Sequence, residues 1–206
     1  GGKVVVAYAD GGNSEKGTAV VGTVSGSSIS FGTPVVFESG GTAYPSVTYD
    51  TTNNKIVIAY QDDSDSDRSK AIVGTVSGTS ISFGSAALVD SATTNQTRQV
   101  AAYDSANNRV VVAYSDVTNN KGKVAVGTVS GTDITFGTPV EFFSAETQYI
   151  ALTYDSTNEK VVFAWRQAGS SPYAGKAVVG TVSGTSISFG TTVDFEAGAT
   201  QQIGAT

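Results

Sequence analysis

The sequence predicts an all-β fold, a β-propeller of four repeats of about 53 residues each. One twelve-residue phrase occurs four times, beginning at Val21, Val73, Val126 and Val179, with spacings of 52, 53 and 53 residues. A constant period of this length is typical of proteins built from stacked supersecondary units. The apolar residues are mainly Val, Ile, Tyr and Phe, which favour strands over helices. We therefore assign residues 1–206 to a single domain.

Four strands, A to D, are expected in each repeat, and the copy that follows Pro45 illustrates them. They are A (Ser46–Asp50), B (Lys55–Tyr60), C (Ala71–Val76) and D (Ser80–Phe83). Strand B is apolar on both faces, so it requires cover on both sides. Strand D alternates Ser with Ile or Phe, as expected of a half-exposed outer strand. Hairpin-linked strands of this kind favour propeller blades packed face to face over the competing repeat fold, a parallel solenoid.

The two ends of the chain contain complementary parts of one repeat. Lys3–Tyr8 matches strand B, and Gln201–Thr206 matches the beginning of strand A. We expect these segments to pair and complete a blade split between the termini. Closure within one chain gives four blades and closure between two chains gives an eight-bladed homodimer. The sequence slightly favours the four-bladed monomer, because one chain then satisfies all its own strand edges.

The copies diverge in the B–C loops and in the D–A connections. The B–C loops are Asp10–Gly17, Asp62–Lys70, Asp116–Lys123 and Gln167–Lys176. The D–A connections are Glu38–Tyr44, Asp90–Arg98, Phe143–Tyr149 and Glu196–Gln202. In an up-and-down blade both sets lie on one face of the disc, which we call the variable face. Loops on a rigid scaffold commonly bind ligands, although drift without a partner also explains the divergence. The candidate ligand-binding residues are Tyr44, Arg98, Tyr149, Arg166, Tyr173 and Gln202.

Catalysis has little support in the sequence. The chain contains neither His nor Cys, so the commonest acid–base and nucleophilic groups are absent. Glu38, Asp90 and Glu196 occupy matching positions, with Phe143 in the fourth copy. Such near-symmetric placement spreads carboxylates around a ring instead of pairing them, and we therefore expect no enzymatic activity.

Metal binding is also not expected. The run Asp63–Asp67 begins like a calcium loop, but it lacks the later Gly and Glu, and two cations follow it. Asp50, Asp104 and Asp155 precede the A–B turns and are interpreted as turn-stabilising side chains. Aromatic residues end each strand B beside the variable loops, where packing between blades is favoured over sugar stacking. They are Tyr8, Tyr60, Tyr114 and Trp165.

Charge and hydropathy restrict the partners. The net charge is −6 and no basic patch is visible, so nucleic acids and anionic membrane surfaces are poor partners. No apolar run is long enough to span a bilayer. We expect no cofactor. The absence of Cys is compatible with an extracellular or virion-surface location.

The phrases YD-x-x-N-x-K-V-V-x-A-Y and VGTVSGTSISFG resemble highly repetitive propeller-type repeats of marine phage and bacterial surface proteins. In outline the chain is also similar to lectin-like propellers, without their residue signatures. We interpret it as a non-enzymatic extracellular binding or adhesion propeller that recognises a glycan or a surface protein through its variable face. The alternatives are a structural or assembly module, such as a fibre, virion or filament subunit, and an engineered or excised scaffold with no selected ligand.

Overall fold

The computed structural model describes residues 2–93, 99–169 and 171–206, and its regular structure is almost entirely β. The strands are β1 (Lys3–Asp10), β2 (Lys16–Ser25), β3 (Ser28–Phe31), β4 (Val35–Asp50), β5 (Lys55–Asp62), β6 (Arg68–Ser77), β7 (Ser80–Phe83), β8 (Ala87–Thr93), β9 (Val100–Asp104), β10 (Arg109–Asp116), β11 (Lys121–Ser130), β12 (Asp133–Phe136), β13 (Val140–Phe143), β14 (Thr147–Asp155), β15 (Lys160–Gln167), β16 (Gly175–Ser183), β17 (Ser186–Phe189) and β18 (Val193–Glu196). Single 3₁₀ turns follow β1 and β5, at Gly11–Asn13 and Asp63–Asp65. Neither turn, nor any other helix in the described ranges, is long and apolar enough to cross a membrane.

The strands form four repeating sheet units, which we call blades I to IV. Blade I contains β1, β2, β3 and the first part of β4, and blade II contains the rest of β4 with β5 to β8. Blade III contains β9 to β13 and blade IV contains β14 to β18. All pairings are antiparallel, and β4 runs from the outer edge of blade I to the inner edge of blade II. The sequence prediction of an all-β propeller-type fold is confirmed at this level.

Apolar contacts between blades form the core. Three buried clusters lie between blades I and II, II and III, and III and IV. In each, one face of a strand B packs against the opposite face of the next blade. At the II–III boundary, for example, Val57 and Val73 of blade II meet Val112 of blade III. The prediction that strand B is covered on both faces holds for β5 and β10, whose apolar residues are all buried.

The outer strand differs from the sequence prediction. It continues beyond Phe83 as a second segment, so that β7 pairs with one half of β6 and β8 with the other half. The break falls at Gly84, where an added Cβ would lie 2.0 Å from the carbonyl oxygen of Thr132 in blade III. Close approach of the next blade's C–D turn therefore interrupts the strand, and alternation alone did not reveal its continuation.

The A–B turns are stabilised as predicted by their aspartates. Asp50 Oδ1 accepts hydrogen bonds from the backbone N–H groups of Thr52 and Asn53, at 3.0 and 2.9 Å. The Asn53 side chain donates to the other carboxylate oxygen at 2.8 Å. Asp104 and Asp155 repeat this arrangement. These residues are structural, since the carboxylate satisfies donors that the turn would otherwise leave unpaired.

The split blade is not assembled in this structure. Strand β1 pairs with β2 alone among the described residues, and residues 199–206 form no strand. Beside β1 lies a cleft of 660 Å³, lined by Lys3 and Val5 and by Val47, Thr48 and Tyr49 of blade II. Closure through the terminal segments stays a prediction.

Candidate functional site

The variable face is assembled by hydrogen bonds between neighbouring loops. The D–A connection of blade I approaches the first B–C loop, where the Thr42 N–H donates to the Glu15 carbonyl at 2.9 Å. At blade IV the Ala168 N–H donates to the Glu146 carbonyl at 2.8 Å. The B–C loops and D–A connections therefore lie on one face, as the sequence predicted.

Four of the six predicted site residues occupy one repeated position, which in three copies lies six residues before the aspartate that ends strand A. They are Tyr44, Arg98, Tyr149 and Gln202. Tyr44, Tyr149 and Gln202 have φ values of 50°, 52° and 52°, in the left-handed region that is uncommon for such side chains. In β4 and β14 the strand register shifts at this point, so the residue is part of a β-bulge. Bulges of this kind re-aim a side chain at the edge of a sheet. Arg98 lies outside the described residues.

Blade IV brings three of the predicted residues together. The guanidinium carbon of Arg166 lies 4.7 Å from the ring centroid of Tyr149 and 5.3 Å from that of Tyr173. The same guanidinium donates to the Gln148 amide oxygen, and the Gln148 amide donates to Glu146 at 2.9 Å. A cation held against two rings, with an amide and a carboxylate beside it, presents flat apolar surface and polar groups together. We call these five residues the Arg166 cluster.

Buried polar atoms also lie on the two strands that bear Arg166 and Gln148. Arg166 Nε, Trp165 Nε1 and Thr147 Oγ1 are buried with no hydrogen-bond partner in the structure. Their strands are adjacent, because Thr147 is opposite Gln167 and Gln148 is opposite Arg166 in the β14–β15 register. Buried polar groups without partners are uncommon in native proteins.

Blades II and III repeat part of this arrangement. Gln61 and Ser115 occupy the Arg166 position, and Gln61 Oε1 and Ser115 Oγ are also buried without a partner. Thr42, at the Thr147 position, has an unpartnered hydroxyl as well. A polar residue therefore occupies this position in blades II, III and IV, whereas blade I has Ala9 there. Among the described residues, the cation held against two tyrosine rings is found in blade IV.

Carboxylates on this face are held by fixed donors. Burial alone would raise the pKa of Asp62, but hydrogen bonds from Lys70 and Ser64 outweigh it and hold that pKa below its ordinary value. Burial, opposed by bonds from Lys123 and Asn119, leaves the pKa of Asp116 lowered in the same way. A general acid needs a carboxyl pKa that is raised, and these shifts run in the opposite direction.

Asp65, in the middle of the calcium-like run, is paired with the two cations that follow the run. Lys70 Nζ lies 2.7 Å from Asp62 and 2.8 Å from Asp65, and Arg68 pairs with Asp65 as well. Asp67 accepts a bond from the Gln61 side chain at 3.2 Å. The loop is therefore an internally paired ion network.

Three of the four aromatics that end strand B pack between blades, and the fourth, Tyr8, is only partly buried on the free face of blade I. Tyr60, Tyr114 and Trp165 are fully buried. The Tyr60 hydroxyl donates to Glu38 of blade I at 3.0 Å, and the Tyr114 hydroxyl donates to Asp90 of blade II at 2.6 Å. Burial, followed by the Glu38 carboxylate, raises the pKa of Tyr60 far above its ordinary value. The matching positions Glu38 and Asp90 are thus acceptors for inter-blade bonds.

Sequence reasoning missed Gln148, Glu146 and Thr147. They lie in a variable D–A connection, but nothing in their spacing indicated that Gln148 would face Arg166. That pairing follows from the bulge at Tyr149, which only the structure reveals.

The architecture is that of an all-β, propeller-type protein. No family model and no curated protein sequence matches the chain. Among solved structures it is similar to a mutant of the Aleuria aurantia lectin in complex with α-methyl-L-fucoside, with a TM-score of 0.56 and 14% identity. The alignment covers 95% of this chain and 57% of the lectin chain, so the chain spans little more than half of that protein. At this identity the likeness concerns the fold.

Proposed function

We propose that the chain is a non-enzymatic, extracellular carbohydrate-binding propeller whose ligand contacts the variable face. The Arg166 cluster is the observation on which the proposal rests. Sugar rings present apolar C–H faces and hydroxyl groups together, and a matching site combines aromatic rings with a few well-placed polar groups. Tyr149 and Tyr173 supply the rings, and the donors and acceptors of Arg166, Gln148 and Glu146 suit hydroxyl groups.

The remaining predicted residues extend the site around the face. Tyr44 occupies the bulge of blade II with its ring exposed, and Gln202 occupies the equivalent backbone conformation after blade IV. We assign Arg98 to the same position in blade III by its place in the repeat. If each blade provides one weak site, multivalency would raise the overall affinity for a ligand that presents several sugars.

Two further observations support binding over catalysis. The lowered pKa values of Asp62 and Asp116 suit fixed ion pairs, and the chain contains neither His nor Cys. The similar solved structure is that of a lectin with a bound fucoside, which makes a fucoside the first ligand to test.

Calorimetric titration with α-methyl-L-fucoside, together with a glycan array, tests the proposal. We expect binding to at least one glycan and a loss of affinity of about 2- to 30-fold on Tyr149→Ala or Arg166→Ala, since aromatic and cation contacts are each worth roughly 0.5–2 kcal/mol. Ser105→Ala, an exposed residue of an A–B turn on the opposite face, serves as the control. No binding to any glycan, or equal loss with the control, would contradict it.

The structural or assembly role is the second candidate function, and one observation favours it. Large apolar side chains are exposed on the outermost sheet faces of blades I and IV. The corresponding faces at the three internal boundaries are covered by a neighbouring blade. Such exposed apolar surfaces mark protein contacts.

A further inference from the structure

The two outermost faces of the blade stack expose residues that are buried at every internal boundary. On blade I, Ile29 is 48% exposed, whereas its equivalents Ile81, Ile134 and Ile187 are 5%, 3% and 7% exposed. On blade IV, Val179 is 45% exposed, whereas Val21, Val73 and Val126 are at most 1% exposed. Phe195 is 51% exposed, and its equivalents Phe37 and Phe142 are buried. Each face thus lacks the neighbour for which its sequence is built.

The two faces are complementary halves of one repeated interface. At each internal boundary the later face of one blade packs on the earlier face of the next. The free face of blade IV is a later face, containing Val179, and the free face of blade I is an earlier face, containing Val4 and Val6. The two free faces can therefore pack on one another in the same way, later face against earlier face, as at the three internal boundaries.

Paired side chains across each boundary give a second, independent match. Glu38 accepts from Tyr60 at boundary I–II, and Asp90 accepts from Tyr114 at boundary II–III. At boundary III–IV both partners change together, because Phe143 meets Trp165 with ring centroids 5.1 Å apart. The two members of the series that have no partner across a blade boundary are Glu196 on blade IV and Tyr8 on blade I. If the free faces of blades IV and I met, these two residues would again form a carboxylate–tyrosine pair across the boundary.

Backbone approach supplies a third match. An added Cβ at Gly32, Gly84 or Gly137 would lie 2.0–2.3 Å from a carbonyl oxygen in the C–D turn of the next blade. At Gly190, the fourth member, the nearest atom is the Val179 oxygen of its own blade, at 3.8 Å. The repeat thus retains a glycine at a contact that blade IV does not make within this structure.

We propose that a second copy of this chain docks on these faces, blade IV of each copy against blade I of the other. Two such contacts related by a two-fold axis close a ring of eight blades, the upper end of the usual range for propellers. Three copies would exceed that range.

The terminal segment of one copy enters the cleft beside β1 of the other. Gln202 has the φ value of Tyr44 and Tyr149, the bulge residues that open strand A. The registers of β4 with β5 and β14 with β15 then place Gly204 opposite Ala7 and Thr206 opposite Val5 of the partner copy. The fourth bulge position of the variable face is completed by both copies.

Solution mass and one substitution test the proposal. The intact chain should have twice its monomer mass of 20.9 kDa by light scattering. Gly190→Val should raise the dimer dissociation constant by about 10- to 100-fold per interface, because overpacking a well-fitted contact is costly. Its circular dichroism should not change, since the side chain meets open space in the single chain. Ser188→Val, two residues earlier, is the control, because its equivalents Ser82 and Thr135 remain exposed beside a neighbouring blade.

Cross-linking distinguishes a second copy from closure within one chain. The Phe37 and Tyr60 rings lie 5.2 Å apart, so Phe195 and Tyr8 should come equally close across the new contact. Chains with Phe195→Cys, mixed with chains with Tyr8→Cys, should give a covalent pair with a short bifunctional maleimide, since no other cysteine exists. A monomeric mass, a dimer insensitive to Gly190→Val, or cross-linking only within a chain that has both substitutions would each overturn the proposal.

Discussion

Equivalent residues are buried at the internal blade boundaries and exposed on the two outermost faces of the stack. Ile81, Ile134 and Ile187 are buried, and Ile29, in the same phrase, is half exposed. The phrase is almost unchanged between copies, so the difference arises from the presence or absence of a neighbouring blade. Burial in this fold is therefore a property of the boundary between repeats, as in other repeat proteins whose stability is largely a sum of neighbour contacts.

The largest expected difference in stability is between valine substitutions at two equivalent glycines that follow strand D, Gly84 and Gly190. Gly84→Val should unfold the chain or cost about 3 kcal/mol or more, because the side chain collides with the Thr132 carbonyl of blade III. Gly190→Val should leave the free energy of unfolding nearly unchanged when urea unfolding is measured on the isolated monomer. Equal destabilisation by both substitutions would show that the two regions do not differ as described.

Truncation of a repeated valine should give the next largest difference. Val73→Ala removes buried methyl groups between blades II and III and should cost about 1–3 kcal/mol. Val179→Ala, at the equivalent exposed position, should change the stability of the monomer by less than about 0.5 kcal/mol. Thermal melts at low protein concentration test the pair, and a cost at Val179 as large as that at Val73 would contradict the comparison.

Loss of one inter-blade hydroxyl should have a smaller effect. Tyr114→Phe removes the bond to Asp90 and should cost about 1 kcal/mol, because Lys123 remains as a partner of that carboxylate at 3.2 Å. In the monomer, Tyr8→Phe should cost nothing measurable. A double-mutant cycle with Asp90→Asn would sharpen the result, since the coupling should vanish if the hydroxyl does not bond to Asp90.

The smallest effect concerns acid stability. The folded pKa of Asp116 is lowered, so its contribution is present above the ordinary carboxyl value of about 4 and is lost as the pH falls through the folded value. Asp116→Asn should therefore destabilise the chain at pH 7 and have progressively less effect below about pH 4. Asp133→Asn, at the exposed first residue of β12, is the control substitution. Unfolding measured between pH 2 and pH 7 checks both variants.

Much of the blade follows from the sequence, because local patterns specify it. The apolar run Ile56–Ala59 predicted a central strand, and Asp50 predicted the turn before it, since each depends on a few neighbouring residues. The continuation of the outer strand as β8 was missed, because it depends on the approach of blade III to Gly84. Such a contact joins residues far apart in the chain and leaves no periodic signal.

The candidate site was predictable only in part for the same reason. Tyr149, Arg166 and Tyr173 were selected as variable residues beside a rigid scaffold, and the structure places them in contact. Their role in binding stays a prediction. Gln148 was not selected, since its position opposite Arg166 depends on a register shift that period-two reasoning does not describe.

The Phe143–Trp165 pair has a consequence for how a chain of near-identical repeats folds correctly. Repeats this similar can exchange partners during folding and trap the chain in misassembled states. A phenyl ring offers no acceptor to a tyrosine hydroxyl, and a carboxylate facing Trp165 would lose the ring packing seen at that boundary. The boundary between blades III and IV therefore has a pair of side chains that differs from the carboxylate–tyrosine pairs of the other two boundaries. We therefore expect Phe143→Glu to increase the misassembled fraction, which a refolding experiment would measure.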